Sequence, residues 1–347
     1  MKTIIPGIKI QAIASFLPVD VLELASLGEK YGDKVVASII NATGVERVRV
    51  ANEGQTASDL CFEAAIYLMK NEEIDKERIG GLVFVSQTND YILPCTSVIL
   101  QDRLGISKET VCLDIHYGCS GYIYGLLQAA LWISSAACEY VLVLCGDTST
   151  KMVNEKDKSL KMVFGDSGTA TLVTRGGKEM GFSLCSDGSG YDKLIIPAGG
   201  FRNKASEESK ILLFDNDKNG RTQEDLYMDG MAIFDFAITN VPPNINELAE
   251  QMNWQKEEVD LFALHQANKF IINSIRKKLM AQAEKVPIDI VNFGNTGPAS
   301  IPLLLSDICP LESKLDKVIM SGFGVGLSWG SVACCLCDTH FYKPINK

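Results

Sequence analysis

Four short motifs in the first half of this 347-residue chain recur, in the same order, in its second half. FVSQTND from Phe84 aligns with ALHQANK from Ala263, setting Ser86 against His265, and GCSG from Gly118 aligns with GNTG from Gly294, setting Cys119 against Asn295. LCGD from Leu144 aligns with MSGF from Met320, and FGDSG from Phe164 with WGSVA from Trp329. Chance matches of this length are common, but an ordered set in which three pairs keep nearly one spacing is not. The chain therefore reads as a tandem duplication, residues 1–174 followed by residues 175–347, with the two halves packed together because no low-complexity linker divides them. A pseudo-twofold axis between such halves brings corresponding strand ends together, and those ends carry Cys119, His265 and Asn295.

Cys119 stands out on local grounds. Val111, Leu113 and Ile115 alternate with Cys112 and Asp114 as in a short strand, and Gly118 and Gly121 bracket the cysteine at a tight turn. Tyr122, Leu126, Leu127, Ala130 and Ile133 then follow at helical spacing. The thiol thus falls at a helix start, where unpaired N–H groups and the positive dipole end favour thiolate and predict a lowered pKa. A nucleophile is one reading. A small buried hydrophobe, as expected for most of the other cysteines, is the other.

A formal charge of -10 without a basic run argues against nucleic-acid binding, and no stretch of 18 apolar residues predicts a membrane span. The N-terminal MKTIIPGIKIQAIASFLP lacks a sustained apolar core with a cleavage site, so the expected compartment is the cytoplasm, with the 11 cysteines reduced. Cys334, Cys335, Cys337 and His340 cluster near the end, but SVACCLCDTHF lacks paired CxxC spacing and reads as a closing strand. No metal is expected there.

The remaining pattern predicts alternating elements. Strands are expected at 8–14, 81–86, 140–145, 259–264, 288–291 and 317–321, and helices at 21–31, 57–70 (capped by Thr56), 97–104, 227–240, 266–280 and 300–308. Strands apolar throughout and alternating with helices signal an α/β protein whose sheets are covered on both faces.

Taken together, DIHYGCSGYIYGL around Cys119, FGDSGTATLV at Phe164, SDGSGYDKLIIPAGG at Ser186, LYMDGMAIFDFA at Leu226, LHQANKFII at Leu264, FGNTGPASIP at Phe293 and SGFGVGLSWGS at Ser321 resemble the β-ketoacyl-acyl-carrier-protein synthase III family, condensing enzymes of the thiolase superfamily. The motifs run in family order over most of the chain. The resemblance implies a five-layered αβαβα thiolase fold with two pseudo-repeated halves, a homodimer, and a triad of Cys119, His265 and Asn295. It implies that Cys119 accepts an acyl group from a thioester, and that a malonyl thioester on acyl carrier protein then binds with its carbonyl oxygen between His265 and Asn295. Decarboxylation leaves an enolate that attacks the acyl-cysteine to give a 3-oxoacyl thioester. The N–H of Cys119 and one from the Phe323–Gly326 loop are the implied oxyanion hole. Phe164, Phe323 and Val325 fall near the cavity, and Leu93 falls where the family reaches across a dimer interface to the acyl pocket.

The departures are specific. No tryptophan lies in 25–36 to stack on the coenzyme A adenine, and the stacking arginine is replaced by Lys158, which has no planar fork. Coenzyme A therefore lacks its usual partners, while phosphopantetheine thioesters remain the expected substrates and no bound cofactor is expected. Lys269, Arg276 and Lys277, near two helical turns apart, offer a basic face for an acidic carrier. The motif leaves open delivery of the acyl group to an oxygen or nitrogen nucleophile. A cysteine protease shares the order Cys, His, Asn but not the duplication, and a non-catalytic partner subunit would have no need of the cysteine.

Overall fold

The helix opening at Ala57 shows how local chemistry starts an element in this protein. The Thr56 hydroxyl accepts the Asp59 N–H, and the Asp59 carboxylate accepts the Thr56 N–H at 2.9 Å, a reciprocal cap at the predicted position. In the computed structural model, which describes residues 1–312 and 314–346, this helix runs Ala57–Asn71.

Two large mixed sheets form the body. The first has the strand order His340–Phe341, Ile8–Phe16, Ser167–Arg175, Tyr140–Asp147, Ile79–Val85, Val111–Ile115. The second has the order Lys2–Ile5, Met180–Ser186, Ser328–Cys334, Val318–Gly324, Leu261–Leu264. The halves share a plan: Ile79–Val85 lies parallel to Tyr140–Asp147 as Leu261–Leu264 lies parallel to Val318–Gly324, and the next two strands outward are antiparallel in both sheets. The terminal strands cross over, for Lys2–Ile5 pairs with Met180–Ser186 in the second sheet while His340–Phe341 pairs with Ile8–Phe16 in the first.

Strand periodicity sorts the core into layers. Val83, Val85, Val141 and Val143 of the first sheet face Ala263, Val318, Met320 and Val332 of the second across a middle layer holding the helices Gly121–Ser134 and Ser300–Ile308. The alternate residues Leu82, Phe84, Leu142 and Leu144 pack outward on the Ala57–Asn71 and Thr96–Leu104 helices. Phe262, Leu264, Ile319 and Ala333 pack outward on Gly230–Gln251 and Lys269–Leu279. The stack is helix, sheet, helix, sheet, helix, the five-layered α/β thiolase fold.

Three expected elements differ. Residues 21–31 do not form one helix: Val21–Glu23 pairs with Arg47–Arg49, and a 3-10 turn, Leu24–Leu27, follows. No strand forms at 288–291, because the Val291 carbonyl is taken by the N–H groups of Glu46 (3.0 Å) and Arg47 (3.1 Å) instead of a sheet edge. The helix expected to stop at 240 runs on through Pro242 and Pro243 to Gln251. Its buried stripe of Phe236, Val241, Ile245 and Leu248 outweighs the local cost of the prolines.

Candidate active site

Cys119 sits where strand Val111–Ile115 gives way to helix Gly121–Ser134, 7% exposed. The turn needs the glycine at 121, since a Cβ there would fall 2.4 Å from Val85 Cγ1. Gly324 from the other half covers the cysteine so closely that a Cβ would lie 3.1 Å from Sγ. Ser120 Oγ meets Ser328 Oγ at 2.7 Å, and Ser328 Oγ donates to Val325 O at 2.7 Å, tying the nucleophile turn to the loop that carries Val325.

The expected lowering of the Cys119 pKa is not what the enclosed site produces. Burial pushes the thiol up to about 12, the Asp147 carboxylate adds to this, and the residue's own N–H partly offsets it. Desolvation of a thiolate in a closed pocket outweighs the helix start.

His265 follows strand Leu261–Leu264 and is 1% exposed. Burial lowers its pKa to about 3, so the ring is neutral at any working pH. Nδ1 lies 2.6 Å from Ser300 Oγ, which also accepts the Gln266 N–H at 3.5 Å. When the serine hydroxyl donates to Nδ1, Nε2 carries the N–H of the neutral ring. Phe323 packs edge-on to the ring at 5.4 Å between centroids.

Asn295 is held by backbone: its N–H donates to Val163 O (2.8 Å) and its carbonyl accepts the Gly165 N–H (3.0 Å), clasping Phe164. Its side-chain Oδ1 accepts the Gly297 N–H at 3.0 Å, which leaves the amide NH2 as the group available to the site. Cys119, His265, Asn295, Phe164, Phe323 and Gly324 together line one small cavity of about 70 Å³. A second cavity of about 320 Å³ shares Cys119 and Phe164 with it and continues along Met152, Leu194, Ile196, Leu226 and Val325. The cysteine thus sits between two chambers.

The structure gathers Cys119, His265, Asn295, Phe164, Phe323 and Val325 and places the other expected residues elsewhere. Leu93 is 80% exposed in an apolar run with Tyr91 and Ile92, away from the cavities of its own chain. The Lys158 ammonium is turned into the 215–219 loop, donating to Asp217 O and to Asn219 Oδ1 (3.2 Å). Lys269 is exposed one residue from Asn268, which lines the small cavity; Lys277 is exposed further along, and Arg276 is tied to Asn273 Oδ1 and Ala281 O. His340 pairs with Glu72 at 2.6 Å, whereas His116 lines the larger cavity.

Two residues of the site went unread. Ser300 sits in the PAS segment after GNTG and could have been suspected only from the need of a buried histidine for a partner. Asp147, the last residue of the LCGD motif, is 1% exposed beside the larger cavity; its Oδ1 accepts from Ser86 Oγ (2.8 Å), Gln87 N (2.8 Å) and Thr88 N and Oγ1 (3.1 and 3.0 Å). Burial still raises its pKa to about 6.

A cysteine at a helix start, facing a neutral imidazole and an amide from a duplicated second half, defines a thiolase-fold enzyme of thioester chemistry. Residues 113–188 match the family model of 3-oxoacyl-[acyl-carrier-protein] synthase III, and residues 249–335 match that of its C-terminal part. A β-ketoacyl-[acyl-carrier-protein] synthase III of Caldanaerobacter subterraneus is 33% identical over 322 residues, 91% of this chain and 94% of that protein. The crystal structure of a 3-oxoacyl-(acyl-carrier protein) synthase from Burkholderia xenovorans superposes with a TM-score of 0.94 at 34% identity, covering 100% of this chain and 99% of that one. A synthase III from Pseudomonas aeruginosa superposes with a TM-score of 0.80 at 27% identity, covering 95% and 98%. The chain belongs to the 3-oxoacyl-acyl-carrier-protein synthase III family.

Proposed function

We propose that this protein transfers an acyl group from a thioester to Cys119 and condenses it with malonyl-acyl carrier protein, releasing carbon dioxide and a 3-oxoacyl thioester for acyl-chain synthesis. The observation that carries this reading is the shared cavity of one thiol, the neutral imidazole of His265 and the Asn295 amide. Cys119 Sγ attacks the acyl carbonyl and the donor thiol leaves. The malonyl carboxylate then departs as carbon dioxide, and its electron pair becomes an enolate whose oxygen takes hydrogen bonds from His265 and Asn295. The enolate carbon attacks the acyl carbonyl, and the Cys119 thiolate is expelled. A neutral histidine suits this task, because a decarboxylation needs a donor for the enolate and no proton acceptor. The oxyanion of each tetrahedral intermediate falls to the Cys119 N–H and the Phe323–Gly326 loop.

Several features support a carrier-bound donor over coenzyme A. The Lys158 ammonium is already engaged, and no tryptophan occupies 25–36. Lys269 and Lys277 stand exposed on the helix that walls the cavity, ready for an acidic carrier. The run of Tyr91, Ile92 and Leu93, 63%, 79% and 80% exposed, supports a homodimer in which Leu93 reaches the partner's acyl chamber. No helix among the described residues is long and apolar enough to cross a membrane, and the cysteines are all free, which supports a reducing cytoplasm. The test is intact-protein mass spectrometry after incubation with a panel of acyl groups, each offered on coenzyme A and on acyl carrier protein. The expected mass gain is one acyl group at Cys119, faster from the carrier. Acylation elsewhere, or none from either donor, overturns the reading.

A further inference from the structure

The structure rearranges the cysteine-rich end of the chain. Cys334 points into the layer between the sheets, and His340 is paired with Glu72, so neither joins Cys335 and Cys337. Asp316 does. It lies two residues before Val318, which stands opposite Cys334 in the antiparallel ladder, and its carboxylate and the two Sγ atoms all lie within 4.8 Å of one another. Leu336, fully buried, anchors the middle of the Cys-Leu-Cys turn and accepts no part in the cluster; its N–H donates to Leu315 O at 2.9 Å. The turn also directs the Cys337 N–H at Cys335 Sγ, 3.4 Å away.

We propose that Asp316, Cys335 and Cys337 form a binding site for a thiophilic divalent cation of the zinc type, with a fourth position open to water. Two sulfurs and one carboxylate are a donor set that suits zinc and disfavours calcium or magnesium. Ligands about 2.0 to 2.3 Å from a tetrahedral ion sit a little under 4 Å apart, so small side-chain rotations close the site. Charge favours it as well. Two thiolates and a carboxylate, with the Lys178 ammonium 2.6 Å from Asp316 Oδ1, balance a double positive charge. The N–H directed at Cys335 Sγ stabilises a thiolate there. All three residues are half-buried, so the site is open to an ion from solvent. It lies at the far end of the Ser328–Cys334 strand from the active site, a strand length of about 20 Å. An ion here staples the approach to Val318–Gly324 onto the exit of Ser328–Cys334.

Cobalt(II) is the probe, added to the reduced full-length protein and displaced with zinc. The expected result is one equivalent bound, with a near-ultraviolet thiolate-to-cobalt charge-transfer band and tetrahedral visible bands. Cys335→Ser/Cys337→Ser should lose the bands while keeping condensation activity and the metal-free melting temperature. Asp316→Asn should keep the thiolate band but bind at least tenfold more weakly. The proposal is overturned if the double variant keeps the bands, if Asp316→Asn binds as tightly as the parent, or if the reduced protein shows no band. It is equally overturned if the only change in air is oxidation of Cys335 and Cys337 to a disulfide by dissolved oxygen, read as loss of two hydrogen masses.

Discussion

Cys119 and Asn295 hold matching places in the two halves, and the halves treat that place differently. The cysteine follows a true edge strand, Val111–Ile115, and stands at the start of a 14-residue helix. The asparagine follows no strand; its segment is held by Glu46, Arg47, Val163 and Gly165, all from the first half, before the shorter helix Ser300–Ile308 begins. A nucleophile must stay reachable from two chambers and move slightly as bonds form and break. An enolate donor must hold one orientation, and four backbone hydrogen bonds to the opposite half hold it. On the proposed mechanism the corresponding turn serves acyl transfer in one half and charge stabilisation in the other.

Substitution at each copy tests that division. Cys119→Ala should abolish the acyl-enzyme in intact mass spectra with no change in melting temperature, because no other thiol faces both cavities. Acylation surviving in that variant would show that the strand-supported copy is not the nucleophile. Asn295→Ala should still acylate at near the parental rate but lose malonyl decarboxylation by about a hundredfold or more, on the scale of one lost oxyanion donor. If both steps fall together, the two copies share one role.

Finer tests probe the donor side. Ser300→Ala frees Nδ1 of His265, so kcat for condensation should drop by roughly tenfold while acylation and KM hold, the loss of one orienting hydrogen bond. Ser300→Thr should restore the rate if the hydroxyl is what matters. The smallest effect is on stability. His265 titrates near 3 when folded and near 6.5 when free, so the unfolded chain binds the extra proton and stability falls as pH drops from 6.5 toward 3. Between pH 6.5 and 5.5 the loss from this group is about 1 kcal/mol. Urea midpoints of His265→Gln should lack that increment, and an equal pH slope in both proteins would mean that the folded ring takes up its proton as readily as the unfolded one.

The strand plan common to the two sheets was legible because it rests on repeated motifs and on strands apolar on both faces. The same reading mistook 21–31 and 288–291, where apolar spacing was real but the hydrogen-bond partners came from residues 46–49, distant in sequence from both. That Cys119, His265 and Asn295 share one cavity was readable from residue type and position. The electrostatics were not, since a helix start is visible in sequence but the depth of Cys119, enough to reverse its shift, is set by Gly324 arriving from the other half. Ser300 and Asp147 stayed hidden for a related reason: each is an ordinary residue in sequence, made important by what it meets.

The crossing of the terminal strands has a consequence for how the protein comes into being. A ribosome delivers the first half before the second, and early folding of that half would be the usual course. Here Lys2–Ile5 has no partner until Met180–Ser186 emerges, and the first sheet lacks its edge beside Ile8–Phe16 until residues 340–341 are made. The first half thus waits on the second, and a chain stalled midway leaves Lys2–Ile5 unpaired and the edge of Ile8–Phe16 bare.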